Sequence, residues 1–119
     1  MPAAPTPFAP GQVVTVFRSR LRPDANTPED ADDGGPAYSE LAAEVLAIAR
    51  SMPGYVEYKV FTADDGERVA LVTFDSPASQ KAWREHPRHQ AAQRRGRDHY
   101  YSEYSIQVSD CTAVHAFSR

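Results

Sequence analysis

Apolar positions alternate with polar ones along several stretches of this chain and recur every three or four residues in others, and that order predicts a fold. In Val13–Leu21 the residues Val13, Thr15, Phe17, Ser19 and Leu21 fall on one face, with Val14, Val16, Arg18 and Arg20 on the other. Both faces start apolar, so the strand is covered on both sides at its beginning. Residues 37–52 read as a helix whose apolar face is Tyr38, Leu41, Ala42, Val45, Ile48, Ala49 and Met52. Pro53-Gly54 stops it. Two strands follow, over 55–63 and 67–75, joined by the hairpin turn Asp64-Asp65-Gly66. In the first, Val56, Tyr58 and Val60 oppose Tyr55, Glu57, Lys59 and Phe61; in the second, Ala70, Val72 and Phe74 alternate with Val69, Leu71 and Thr73.

Ser76-Pro77 suits a helix start, with the hydroxyl as cap and proline at the first helical position. That helix runs to about Glu85, restarts at Pro87 and reaches about Arg95, with Gly96 as its terminator. The last main strand spans 100–108, with Tyr100, Ser102, Tyr104, Ile106 and Val108 against Tyr101, Glu103, Ser105 and Gln107, and a short strand over 112–117 follows. The order is β-α-β-β-α-β with a tail strand, the split βαβ or ferredoxin-like unit of the α+β class: an antiparallel sheet with helices on one face. Its other face is apolar and aromatic and calls for a second copy of the chain as cover.

Outside this frame, residues 1–11 carry four prolines among small residues and read as a loose tail before a domain over 12–119. Residues 22–36 form an acidic, turn-rich insertion with Asp24, Glu29, Asp30, Asp32 and Asp33, expected to be a mobile surface loop. Sixteen acidic against thirteen basic residues give no polyanion-binding signature, so nucleic acid is not an expected partner. The single Cys111 fits a reducing compartment. No apolar run nears the roughly 18 residues of a membrane span, and the first residues lack a signal-peptide pattern. A cytoplasmic protein without a membrane partner is the expectation. No glycine-rich phosphate loop follows a strand, so a nucleotide cofactor has no motif.

Residues 74–98 gather the only tryptophan, Trp83, with His86 and His89, a helix start, a proline restart and a basic tail. The run from Val72-Thr73-Phe74 through Ser76, Ala82-Trp83, Pro87 and His89 to Ala91-Ala92 resembles the antibiotic biosynthesis monooxygenase-like family of dimeric α+β barrels. The spacing of Gly96, Arg97, Tyr100, Tyr101, Tyr104, Gln107 and Val108 is similar to the last strand of many members, and the resemblance covers roughly residues 13–117. It implies a homodimer with a ligand cavity between helices and sheet, walled by residues 74–98. It also implies chemistry on a small aromatic molecule. Some members oxidise phenols or anthrones with O₂ and no cofactor, others degrade haem, and similar barrels cyclise polyketides. In the haem-degrading branch a tryptophan ends the third strand and a helix histidine ligates iron; Phe74 and Gln93 stand at those positions here. In the quinone-forming branch a tryptophan on the second helix lines the pocket, and Trp83 stands at its place.

The chemistry needs a base for a phenolic proton and a dry slot for a flat ring. Histidine, with an unperturbed pKa of about 6.5, is the best base near neutrality. His86, His89 and Trp83 are therefore the candidate catalytic residues, and Phe74, Tyr58, Tyr100, Tyr104 and Arg97 the candidate substrate contacts. Each has a plainer role open to it: His86 suits capping of the helix restart, Trp83 suits the core, and Tyr100 and Tyr104 suit core or dimer contacts. His86 and His89 share a helix face, yet no Glu or Cys stands at a helpful spacing to complete a metal site. The expected function is a cofactor-independent monooxygenase acting on an aromatic polyketide-like phenol or anthrone, with no cofactor. The alternatives are a cofactor-free cyclase or isomerase, and a non-catalytic ligand-binding accessory protein.

Overall fold

The computed structural model describes residues 6–23, 25 and 38–119. Its elements are β1 (Val13–Leu21), α1 (Tyr38–Ser51), β2 (Tyr55–Thr62), β3 (Arg68–Phe74), α2 (Pro77–Arg84), α3 (Pro87–Arg95) and β4 (Tyr101–Asp110). A single π-helical turn, Gly96–Tyr100, joins α3 to β4. The four strands form one sheet in the order β2-β3-β1-β4, with every neighbouring pair antiparallel. This is the predicted ferredoxin-like α+β arrangement. Most of the acidic insertion, and residues 1–5 of the expected tail, lie outside the described residues.

Register explains which face is buried. Val13, Thr15, Phe17 and Ser19 of β1 stand opposite Phe74, Val72, Ala70 and Arg68 of β3. The helices cover this face, and the core there is Ala49, Ala70, Val72, Phe74 and Trp83, with Val45, Ile48 and Met52 of α1 packed against it. Phe74 and Ala49 are wholly buried. The opposite face, with Val14, Val16, Val69 and Leu71, is only half-buried, and Phe61 on it is 46% exposed. Arg18 pairs there with Glu67, and Arg20 with Asp65 and Glu103.

Two β-bulges depart from the strict alternation read from the sequence. One between Tyr55 and Glu57 lets Tyr55 oppose Phe74 and Tyr58 oppose Val72, so both tyrosines share the helix-covered face. The other lies at Arg20/Leu21, where Leu21 pairs with Tyr101 and Ser19 with Tyr104. Tyr101 thereby joins Tyr104 on the face from which alternation excludes it, with ring centroids 5.8 Å apart. An extra residue in one strand shifts side-chain parity, which no local pattern announces.

Two further expectations are corrected, and a third is refined. Gly96 caps α3 after Arg95 as expected, but it is right-handed at φ −57° and the chain winds on to Tyr100. Glycine is needed because a Cβ there would lie 2.5 Å from the Tyr101 ring. β4 starts at Tyr101 rather than Tyr100 and runs on to Asp110. No strand forms over 112–117: β1 begins at Val13, the ladder ends where Cys111 N–H donates to the Gln12 carbonyl at 2.8 Å and Gly11 N–H to the Cys111 carbonyl at 2.9 Å, and no backbone pairing among the described residues continues it. The proline break is as expected. Ser76 caps α2 in a reciprocal box with Ser79, both backbone N–H bonds being 3.2 Å, and Pro77 opens the first turn.

Candidate functional site

A cavity of about 420 Å³ opens between the helices and the sheet. β1 gives it Thr15, Phe17 and Ser19; β3 gives Arg68, Ala70 and Val72; β2 gives Tyr58; β4 gives Tyr101, Tyr104 and Ile106. From the helical side come Tyr38, Leu41 and Val45 of α1, Trp83 of α2, and His89, Ala92 and Gln93 of α3, with Gly96 and Tyr100 beyond them. The lining is mostly aliphatic and aromatic with a few polar groups, the usual character of a small-molecule site of this size.

The break at Pro87 builds the most reactive corner. In an unbroken helix the Arg84 carbonyl would accept the N–H of Arg88. Here that N–H is donated instead to His86 Nδ1, 3.1 Å away, so His86 is the N-cap of α3. The carbonyl of Arg84 then takes His89 Nδ1 as its partner at 3.3 Å. A carbonyl only accepts, so His89 carries its proton on Nδ1 and its Nε2 keeps a lone pair. Burial holds the His89 pKa below the ordinary 6.5, the Arg84 contact opposing this and His86 adding to it. The ring is therefore neutral near pH ~7, the state a base requires.

Trp83 lies against this histidine, with ring centroids 4.3 Å apart and planes tilted by 39°. On its other side it stacks on Phe74 at 5.3 Å, and Tyr58 meets it edge-on at 6.5 Å. The indole is 4% exposed, and its Nε1–H has no hydrogen-bond partner. A buried donor without an acceptor costs free energy unless a ligand supplies one.

Of the residues singled out from sequence, Trp83, His89, Tyr58, Tyr100 and Tyr104 converge on the cavity. Phe74 is core and reaches the site only through the Trp83 stack. His86 is a helix cap and lies outside the cavity lining. Arg97 is exposed, 3.9 Å from Asp98, and also outside it. Tyr100 is buried at 1% exposure, and its hydroxyl accepts from Arg95 Nε at 2.7 Å. Other lining residues with functional side chains include Tyr38, Arg68 and Tyr101, none of them among the contacts singled out above. Arg68 was legible, since it stands two residues before Ala70 on the face of Val72 and Phe74. Tyr101 was hidden by the bulge.

Tyr58 and Tyr101 stay protonated. Burial pushes the Tyr58 hydroxyl up to about 12, helped by Tyr38 and opposed by Arg68. Burial raises Tyr101 further, together with the nearby Tyr38 hydroxyl to which it is hydrogen-bonded. They are donors rather than anions at neutral pH. Among the described residues, no three His, Cys, Asp or Glu side chains gather where a metal ion could be held. No helix among them is long and apolar enough to cross a membrane.

This fold matches a known class. The model of the antibiotic biosynthesis monooxygenase family fits residues 29–95, more than half of the chain, and the chain belongs to that family. An uncharacterised protein of Bacillus subtilis, YqjZ, is 31% identical over 72 residues, which is 60% of this chain and 63% of that relative. Among solved structures, Rv0793 of Mycobacterium tuberculosis superposes with a TM-score of 0.69 at 17% identity, covering 88% of this chain and 99% of its own. A mutant of SnoaB, a cofactor-independent oxygenase of Streptomyces nogalater, gives 0.67 at 13% identity, covering 87% and 96%. At such identities the structural likeness speaks for the fold alone.

Proposed function

We propose that the cavity is the active site of a cofactor-independent monooxygenase that oxidises an aromatic, polyketide-like phenol or anthrone with O₂ during secondary-metabolite biosynthesis. The observation that carries this reading is the neutral His89 with its Nε2 lone pair beside Trp83, in a cavity of about 420 Å³. His89 takes the phenolic proton, and the resulting anion passes one electron to O₂. The aryl-oxygen radical and superoxide then combine at the ring carbon. The hydroperoxide so formed loses water, leaving a carbonyl where a CH₂ stood. In sum CH₂ and O₂ become C=O and H₂O, so no external reductant is needed. Trp83 supplies a flat wall and a free N–H, and Tyr58 and Tyr104 close the slot and exclude water. Phe74 serves by bracing the indole.

The working molecule in this proposal is a homodimer of one domain over residues 12–119. The half-buried face of Val14, Val16, Val69 and Leu71, with Phe61 at 46% exposure, supports a second copy as its cover.

Oxygen uptake by the purified protein with an anthrone-type phenol tests the activity. Uptake matched by quinone formation is expected, and its loss in Trp83→Phe or His89→Gln ties it to the cavity. Turnover that persists without O₂ would replace this reading with a cyclase or isomerase using the same base. Tight binding with unchanged recovery of the ligand would leave an accessory protein.

A further inference from the structure

Arg68 contributes a guanidinium to the wall of a cavity that is otherwise mostly apolar. It opens β3 on the helix-covered face, opposite Ser19 of β1 and Thr62 of β2. Its Nε–H is buried and has no hydrogen-bond partner. Among the described residues no carboxylate pairs with it, and no Asp or Glu lines the cavity. The guanidinium lies over the face of Tyr38, whose ring centroid is 5.4 Å from its carbon, and is close enough to the Tyr58 and Tyr101 hydroxyls to act on both. Tyr38 in turn meets Tyr101 edge-on at 5.8 Å. A cation with a buried, unsatisfied donor in an apolar wall is costly unless an anion arrives to meet it.

The place of Arg68 separates it from the corner occupied by His89. On β3 it lies six residues, roughly 20 Å of strand, from Phe74, on which Trp83 stacks. Tyr58, opposite Val72, stands between the two ends. The two buried side-chain donors without partners, Arg68 Nε and Trp83 Nε1, therefore belong to opposite ends of one slot. We propose that the cavity recognises an aromatic ligand carrying an anionic oxygen group, a carboxylate or an ionised hydroxyl, which Arg68 binds at the end away from His89. With the oxygenase reading, on which this rests, the substrate class becomes a phenol with a second, anionic substituent. Tyr58 and Tyr101, held protonated by burial, add neutral donors along the way without competing for the cation.

Calorimetric titration of the whole protein under nitrogen tests this without turnover. The probes are naphthoate, its methyl ester, naphthol and hydroxynaphthoate. Naphthoate is expected to bind about tenfold or more tighter than the ester, and Arg68→Met to abolish that preference while leaving ester affinity within about twofold. Arg68→Lys retains charge without the fork and should keep part of the preference. Hydroxynaphthoate should exceed both naphthoate and naphthol. If the wild-type protein binds acid and ester alike, the proposal is wrong, and this comparison needs no variant to fold. Equal weakening of both probes by Arg68→Met would likewise overturn it, leaving Arg68 as a support for Tyr38. A preference for naphthoate over naphthol, or the reverse, separates carboxylate from ionised hydroxyl. Charge preference without oxygen uptake would sink the oxygenase reading and keep the anion site; oxygen uptake indifferent to ligand charge would do the opposite.

Discussion

The two histidines of the broken helix are three residues apart and are set to opposite tasks by what their Nδ1 atoms meet. His86 Nδ1 accepts from a backbone N–H, so its proton sits on Nε2; His89 Nδ1 donates to a carbonyl, so its proton sits on Nδ1. Heteronuclear NMR of the imidazole nitrogens should show these two opposite tautomers above neutral pH. The same tautomer for both would contradict the site geometry. The depressed His89 pKa also has a sign for stability. Its contribution is complete above about 6.5, the ordinary value, and is lost as pH falls through the lower folded value. A denaturation series across mildly acid pH should lose part of its slope in His89→Gln. Which histidine serves the cavity was not legible in the sequence, because a helix restart resets the phase of everything after it. Arg68 was legible by parity, yet a charge on a buried face is easily read as an edge residue.

At the scale of elements, turns and caps hold the two walls of the site together. Ser76→Ala removes the bond that the Ser76 hydroxyl accepts from the Ser79 N–H and should cost about 1 kcal/mol in thermal or chemical denaturation. Gly54 has φ +85°, and a Cβ there would run into Asp75 and Ser79 where the start of α2 packs on the turn after α1. Gly54→Ala should therefore destabilise by more than about 1 kcal/mol, and a smaller loss would show that this turn yields. Gly96→Ala pushes on the Tyr101 ring and is expected to weaken ligand binding more than it lowers stability. Periodicity located every main strand and helix because one face of each is buried against the other layer. The bulges at Tyr55/Glu57 and Arg20/Leu21 escaped it, since an added residue satisfies the same composition in either register. They bring Tyr55 to the face of Tyr58, and Tyr101 to the face of Tyr104.

The whole molecule presents two sheet faces of different fate. One is roofed by helices and holds the cavity. The other is a half-covered apolar surface ending in the arginine pairs with Glu67, Asp65 and Glu103. Leu71→Glu places a charge among Val14, Val16 and Val69 and should turn a dimer into a monomer in light scattering. A wild-type protein that is already monomeric would contradict the proposed assembly. Family membership is a statement about the fold, and a fold leaves the reaction to the side chains placed on it.

In the proposed reaction His89 Nε2 removes a phenolic proton so that the ring can react with O₂. Initial oxygen uptake should be compared for wild type and His89→Gln on two substrates of one skeleton, an ordinary phenol and one acidified by electron-withdrawing groups so that it ionises unaided. A loss of about a hundredfold or more is expected on the ordinary phenol and little loss on the acidic one. An equal loss on both, or full activity of His89→Gln on the ordinary phenol, would contradict it.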